Sequence, residues 1–297
     1  MRKLIAASSA VLVALALIVS PVAAITGNYV EDFEHPYVGL AVFYDSAGEF
    51  LWRCSGTLLS SKVFLTAGHC ADTVGGAVKA RVYFQQDAGA HFDLVTEIDP
   101  VSGYPEKCAA GTLGNTCATS DEIYNFNFTG QLTLPNTHDV GLLILDQPIA
   151  GPYGELAPVG TLNSLSTRRG TNDTVFTVSG YGLTYKTNPH SPLGNTSYRV
   201  RLMGESTLVN LNSTFTNGFN LQTQGNGNGR AGTCNGDSGG PVFLGHTTSD
   251  LVVGVTSFGL NSLCRGTDYA YRVDTAAVQA WMAGVLTPLG LWAAIAP

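Results

Sequence analysis

Between residues 37 and 273 the chain is a succession of short β-branched and aromatic runs cut by Gly, Asn, Asp and Pro, with almost no helical period. Such punctuation restricts it to an all-β fold of antiparallel sandwich or barrel modules. Expected strands fall at 37–44, 50–59, 62–66, 78–85, 92–98 and 140–145 in a first half, and at 174–179, 197–202, 218–223, 241–244, 251–258 and 268–273 in a second. Residues 146–171, rich in Pro, Gly, Ser and Thr, separate the halves, with 151–170 as the connector proper. One helix is expected, running from Asp274 to Met282, with Asp274 or Thr275 as its cap and Ala277, Val278, Trp281 and Met282 on one face. The domain reading is therefore 25–150, 151–170, 171–273 and a C-terminal helix and tail at 274–297.

Met1-Arg2-Lys3, an apolar run from Leu4 to Val19 and the small residues before Ile25 read as a signal peptide over residues 1–24, so a secreted, extracellular protein is expected. The run is short for a membrane span, and stable membrane insertion after cleavage is not expected. Six cysteines in an exported chain suggest three disulfides, in a pairing that the count does not choose. A formal net charge of −7 without Lys/Arg runs argues against nucleic acid or an anionic membrane surface as partner.

Chemistry concentrates in three stretches. Thr233-Cys234-Asn235-Gly236-Asp237-Ser238-Gly239-Gly240-Pro241 frames a serine with glycines. Such a turn can present backbone N–H groups, here those of Gly236 and Ser238, to an oxyanion formed when Ser238 attacks a carbonyl. A serine nucleophile needs a base. Thr66-Ala67-Gly68-His69-Cys70 sets His69 just past one apolar run, and Asp139 opens another, so an acid, a base and a nucleophile are all available.

The order His69, Asp139, Ser238 resembles that of secreted serine endopeptidases of the chymotrypsin and trypsin family. The resemblance extends over about residues 25–286 and implies two packed six-stranded antiparallel β-barrels with a C-terminal α-helix. It implies His69 as general base, Asp139 as its orienting carboxylate and Ser238 as nucleophile. Cys54 with Cys70 and Cys234 with Cys264 match family bridges, leaving Cys108 and Cys117 in an inserted loop. Ile25-Thr26-Gly27-Asn28 resembles the family's processed amino terminus, whose ammonium would pair with Asp237; here Ala24 rather than Arg or Lys precedes it. Ser257 matches the serine that bonds the triad aspartate, Gly259 the open pocket entrance, and Gly180-Tyr181-Gly182 a structural turn.

The same resemblance places Gly232 at the base of the primary pocket with Thr233 beside it, and Asp268 on the opposite wall, where a carboxylate would favour basic or mixed side chains. No cofactor and no metal are expected: His35, His91, His138, His190 and His246 form no zinc spacing, and Asp87, Asp93 and Glu97 form no calcium loop. Asn127, Asn172, Asn195 and Asn212 lie in N-x-Ser/Thr sequons. Partners implied are a polypeptide substrate and a protein protease inhibitor. Rival readings are a catalytically inactive protease homologue serving as a binding module, and an esterase using the same triad.

Overall fold

The computed structural model describes residues 25–88, 116–165, 173–184 and 200–297. The expected strand at 92–98, the start of the one at 197–202, and Cys108, His91, Asp93, Glu97, Asn172, His190 and Asn195 lie outside them.

Two antiparallel barrels carry the molecule. The first orders seven strands as Cys117–Ser120, Lys79–Tyr83, Val38–Tyr44, Phe50–Leu58, Val63–Thr66, Gly141–Ile144 and Glu122–Asn125. Val38–Tyr44 and Val63–Thr66 are buried at every position, as continuous apolar runs covered on both faces should be. In the second barrel, Leu251–Gly259, Pro241–Leu244, Val175–Gly180, Leu202–Asn210, Asn220–Thr223 and Asp268–Arg272 pair in turn, and the last closes on the first. Tyr29–Glu31 adds to Leu202–Asn210, and Glu155–Leu156 from the connector runs parallel to Leu251–Val252.

Among the described residues the first barrel has seven strands: five of the six expected, with Cys117–Ser120 and Glu122–Asn125 joined at its edges. Leu202–Asn210 extends eight residues past its expected end.

The helix spans Ala276–Leu286, and the Thr275 side chain caps it by accepting from Val278 N. Asp274 is not the cap; it binds Arg272 through Nη2 at 2.8 Å and accepts from Leu162 N at 2.8 Å. The buried face is Val278, Gln279, Met282 and Leu286, with Trp281 half-buried, whereas Ala277 is exposed. Val278, Trp281, Met282 and Leu286, with Leu291, Trp292 and Ile295 of the tail, join a core cluster that combines the first barrel's apolar residues with Phe243, Val252, Val255 and Tyr271 of the second. Cys54–Cys70 and Cys234–Cys264 are bridged and Cys117 is disulfide-bonded. No helix of the described residues is long and apolar enough to cross a membrane.

Candidate active site

Strand Val63–Thr66 ends in the tight turn Ala67-Gly68-His69-Cys70, closed by Cys70 N and Ala71 N donating to Ala67 O. Gly68 leaves room for the segment carrying Asp139: a Cβ there would come 3.0 Å from His138 O and Val140 N. Asp139 therefore meets His69 twice. Its Oδ1 accepts from His69 N at 2.7 Å, and its Oδ2 lies 2.9 Å from His69 Nδ1. Because an ionised carboxylate only accepts, Nδ1 carries a proton and the neutral ring keeps its lone pair on Nε2.

Ser257 Oγ donates a hydrogen bond to the same Oδ2. The Asp139 side chain is only 2% exposed, while that of His69 is 27% exposed on the cleft side. Burial works against the imidazolium, yet the Asp139 charge and hydrogen bond, helped by Asp72, outweigh it and hold the His69 pKa above 6.5.

Ser238 arrives from the second barrel, on a turn held by Asp237 N donating to Cys234 O and Gly240 N to Asp237 O. Gly239 (φ +78°) makes the docking possible: a Cβ there would lie 2.1 Å from Thr66 Oγ1 and 2.6 Å from Ala67 N, inside the histidine turn. Only glycine lets the serine turn press against that turn.

His69, Asp139 and Ser238 line one cleft of about 780 Å³, together with Gly236, Thr233, Ser257, Gly259 and Asp268. Among the described residues the hydrogen bonds of His69 run to Asp139 alone, and the Ser238 hydroxyl makes none to the ring. Phe128, which the sequence did not single out, stands beside the ring with centroids 5.8 Å apart. Phe50, Trp52 and Arg53 extend the cleft on the Cys54 side, with Arg53 stacked over Phe50.

Gly232 is buried and paired with Thr26, and a Cβ on it would lie 2.9 Å from Asp268 Oδ2, while Thr233 beside it lines the cleft. Asp268 does reach the pocket. Its Oδ2 accepts from Thr233 N at 2.7 Å, and its Oδ1 would sit 3.7 Å from a Cβ on Gly259. Burial raises its pKa to about 7 against the opposing hydrogen bonds of Thr233.

Asp237 is fully buried, and its carboxylate accepts from Cys234 N at 2.9 Å and Gly182 N at 2.8 Å. Burial lifts its pKa to about 7. The ammonium expected to pair with Asp237 would arise only on cleavage between Ala24 and Ile25. Ile25 is nonetheless buried, and Thr26–Gly27 pair with Ala231–Gly232. A potential ligand cluster of Cys54, His69 and Cys70 offers no thiolate, since the two cysteines form a disulfide.

The chain is 28% identical to brachyurin of Leptuca pugilator over 228 residues, covering 75% of this chain and 81% of that protein. It is 26% identical to serine protease 7 of Drosophila melanogaster over 243 residues, 78% of this chain and 57% of the relative. Among solved structures, HL collagenase superposes with a TM-score of 0.59 at 19% identity, covering 90% of this chain and 98% of that one. Human heparin binding protein, in a variant form, gives a TM-score of 0.59 at 20% identity, with 89% and 97% covered. The family model for trypsin matches residues 25–282, and the chain belongs to the trypsin family.

Proposed function

We propose that the chain is an exported serine endopeptidase that cleaves extended polypeptide through an acyl-enzyme. The observation that carries this reading is the double grip of Asp139 on His69, through the backbone N and Nδ1, in the cleft that Ser238 also lines. His69 Nε2 takes the Ser238 proton as the hydroxyl attacks the scissile carbonyl, and returns it to the leaving amine. Asp139 fixes the tautomer and stabilises the imidazolium, while Ser257 holds the carboxylate from behind. The N–H groups of Gly236 and Ser238 face the oxyanion. A second round with water in place of the amine frees the enzyme.

Asp268 sets the primary preference. A Lys or Arg side chain entering past Gly259 would find its carboxylate, whereas apolar side chains find the walls of Thr233 and Ser257. Cleavage after Ala24 would free the Ile25 amine, and an ammonium delivered to Asp237 would pair with a carboxylate that two amides already hold. Amino-terminal sequencing of secreted protein tests this step; a mature chain starting elsewhere than Ile25 overturns it.

One rival is an inactive homologue that binds without cutting, since among the described residues the Ser238 hydroxyl makes no hydrogen bond to His69. Profiling a peptide library with wild-type and Ser238→Ala protein decides between them. Cleavage by the wild type alone supports the peptidase, and no cleavage by either supports the binding module.

A further inference from the structure

Ser55 follows the bridged Cys54 on strand Phe50–Leu58 of the first barrel and is fully buried. It makes four hydrogen bonds, three of them across the interface between the barrels. Its N donates to Ser238 O at 2.8 Å, its Oγ donates to Gly236 O at 2.8 Å, and the same Oγ accepts from Tyr181 N at 2.9 Å. Its own carbonyl accepts from Thr66 Oγ1 at 2.8 Å, which ties it to the histidine strand.

We propose that Ser55 is a positioning residue for the oxyanion hole, resting on the peptidase reading above. The two residues whose carbonyls it holds, Gly236 and Ser238, are those whose N–H groups face the oxyanion. Gly236 sits at φ +98° with no Cβ, so its own sterics restrain it least and an external hold matters most. The hydroxyl supplies that hold from the barrel that carries His69. Space for it exists because position 180 is glycine: a Cβ there would come 3.0 Å from Ser55 Oγ and 2.4 Å from Asp237 Oδ1. Consecutive amides of that turn are thereby divided, Tyr181 N to Ser55 and Gly182 N to Asp237. One serine thus links the base, the nucleophile turn and the buried carboxylate behind it.

Three variants measured on a peptide amide, and against a peptide boronate that mimics the tetrahedral oxyanion, test the assignment. Ser55→Ala should lower kcat by about 10- to 100-fold at unchanged KM, short of the 10²–10³ typical of losing a donor outright, with boronate affinity weakened in parallel. Ser55→Gly should recover most of the loss, because a water can occupy the vacated volume and bond Tyr181 N and Gly236 O. A purely structural role predicts the reverse order, since glycine within a strand is less stable than alanine. Should Ser55→Ala not fold, Ser55→Cys keeps the shape with a weaker donor, and kcat reduced about threefold or more at unchanged KM supports the role.

The proposal is overturned by kcat within about twofold of wild type in the folded Ala or Cys variant, by a loss confined to KM, or by Ser55→Gly being worse than Ser55→Ala. Wild-type protein that cleaves no peptide and binds no boronate overturns the peptidase reading itself, a result distinct from active wild type with indifferent variants.

Discussion

The molecule contains the same three side chains arranged twice. At the cleft, Asp139 holds His69 through its N and Nδ1 and accepts from Ser257 Oγ. In the core, Asp32 holds His35 through its N at 2.9 Å and Nδ1 at 2.9 Å and accepts from Ser179 Oγ at 2.5 Å. What separates them is the far side of the ring. His35 Nε2 lies 3.2 Å from the Ser249 carbonyl, and the ring stacks on Phe243 at 4.5 Å with no exposure. His69 Nε2 instead opens to the cleft. A histidine between a carboxylate and a carbonyl is a clamp, whereas the same histidine between a carboxylate and a nucleophile can move a proton. The carboxylate does not decide which; the group facing Nε2 does.

Substitutions should therefore act oppositely at the two sites. The largest effect is expected from Ser238→Ala or His69→Ala, each lowering kcat by about 10⁶ with little change in unfolding temperature. Steady-state kinetics beside thermal unfolding checks this, and retained activity would erase the distinction between the sites. Asp139→Asn should cost about 10⁴ in kcat, because a donating amide imposes the wrong tautomer on His69.

His35→Ala reverses the pattern. It should cost about 3–5 kcal/mol in denaturant unfolding by leaving the Asp32 charge buried without its partner, while the folded fraction keeps its kcat. Asp32 works against burial but is held below the usual carboxylate range by His35, Arg201 and Ser179. Its contribution to stability is thus present above pH about 4 and lost as pH falls through the lowered value.

Titration sharpens the comparison further. His69 accepts a proton only when neutral, so kcat/KM should rise with pH through a value above 6.5. Asp268, raised to about 7, attracts a basic side chain only when ionised. Preference for Arg over Phe substrates should therefore increase several-fold from about pH 6 to pH 8, and Asp268→Gly should abolish that increase. An unchanged profile would remove Asp268 from the pocket.

The candidate catalytic residues were readable because each stands out locally: Ser238 between glycines, His69 at the end of an apolar run, Asp139 at the start of another. Short runs and turns marked two all-β halves, and the family resemblance supplied the barrels. Position 204 is glycine and 205 and 206 are Glu and Ser, so Leu202–Asn210 lacks a strand's alternation and forms because Val175–Gly180 and Tyr29–Glu31 pair with it. Ser55 was illegible for a related reason: its partners Tyr181 and Gly236 are 126 and 181 residues away. Asp32 and His35 are only three residues apart, but Ser179 reaches Asp32 across 147 residues, so the full second set was not legible locally.

One measurement bears most directly on the claim that His69 activates Ser238. Wild-type, Ser238→Ala and His69→Ala proteins would be treated with a fluorophosphonate, and the adduct located by mass spectrometry. The account predicts one adduct per wild-type molecule, on Ser238, and none on either variant at the same exposure. Unmodified wild-type protein, or equal labelling of His69→Ala, would contradict it.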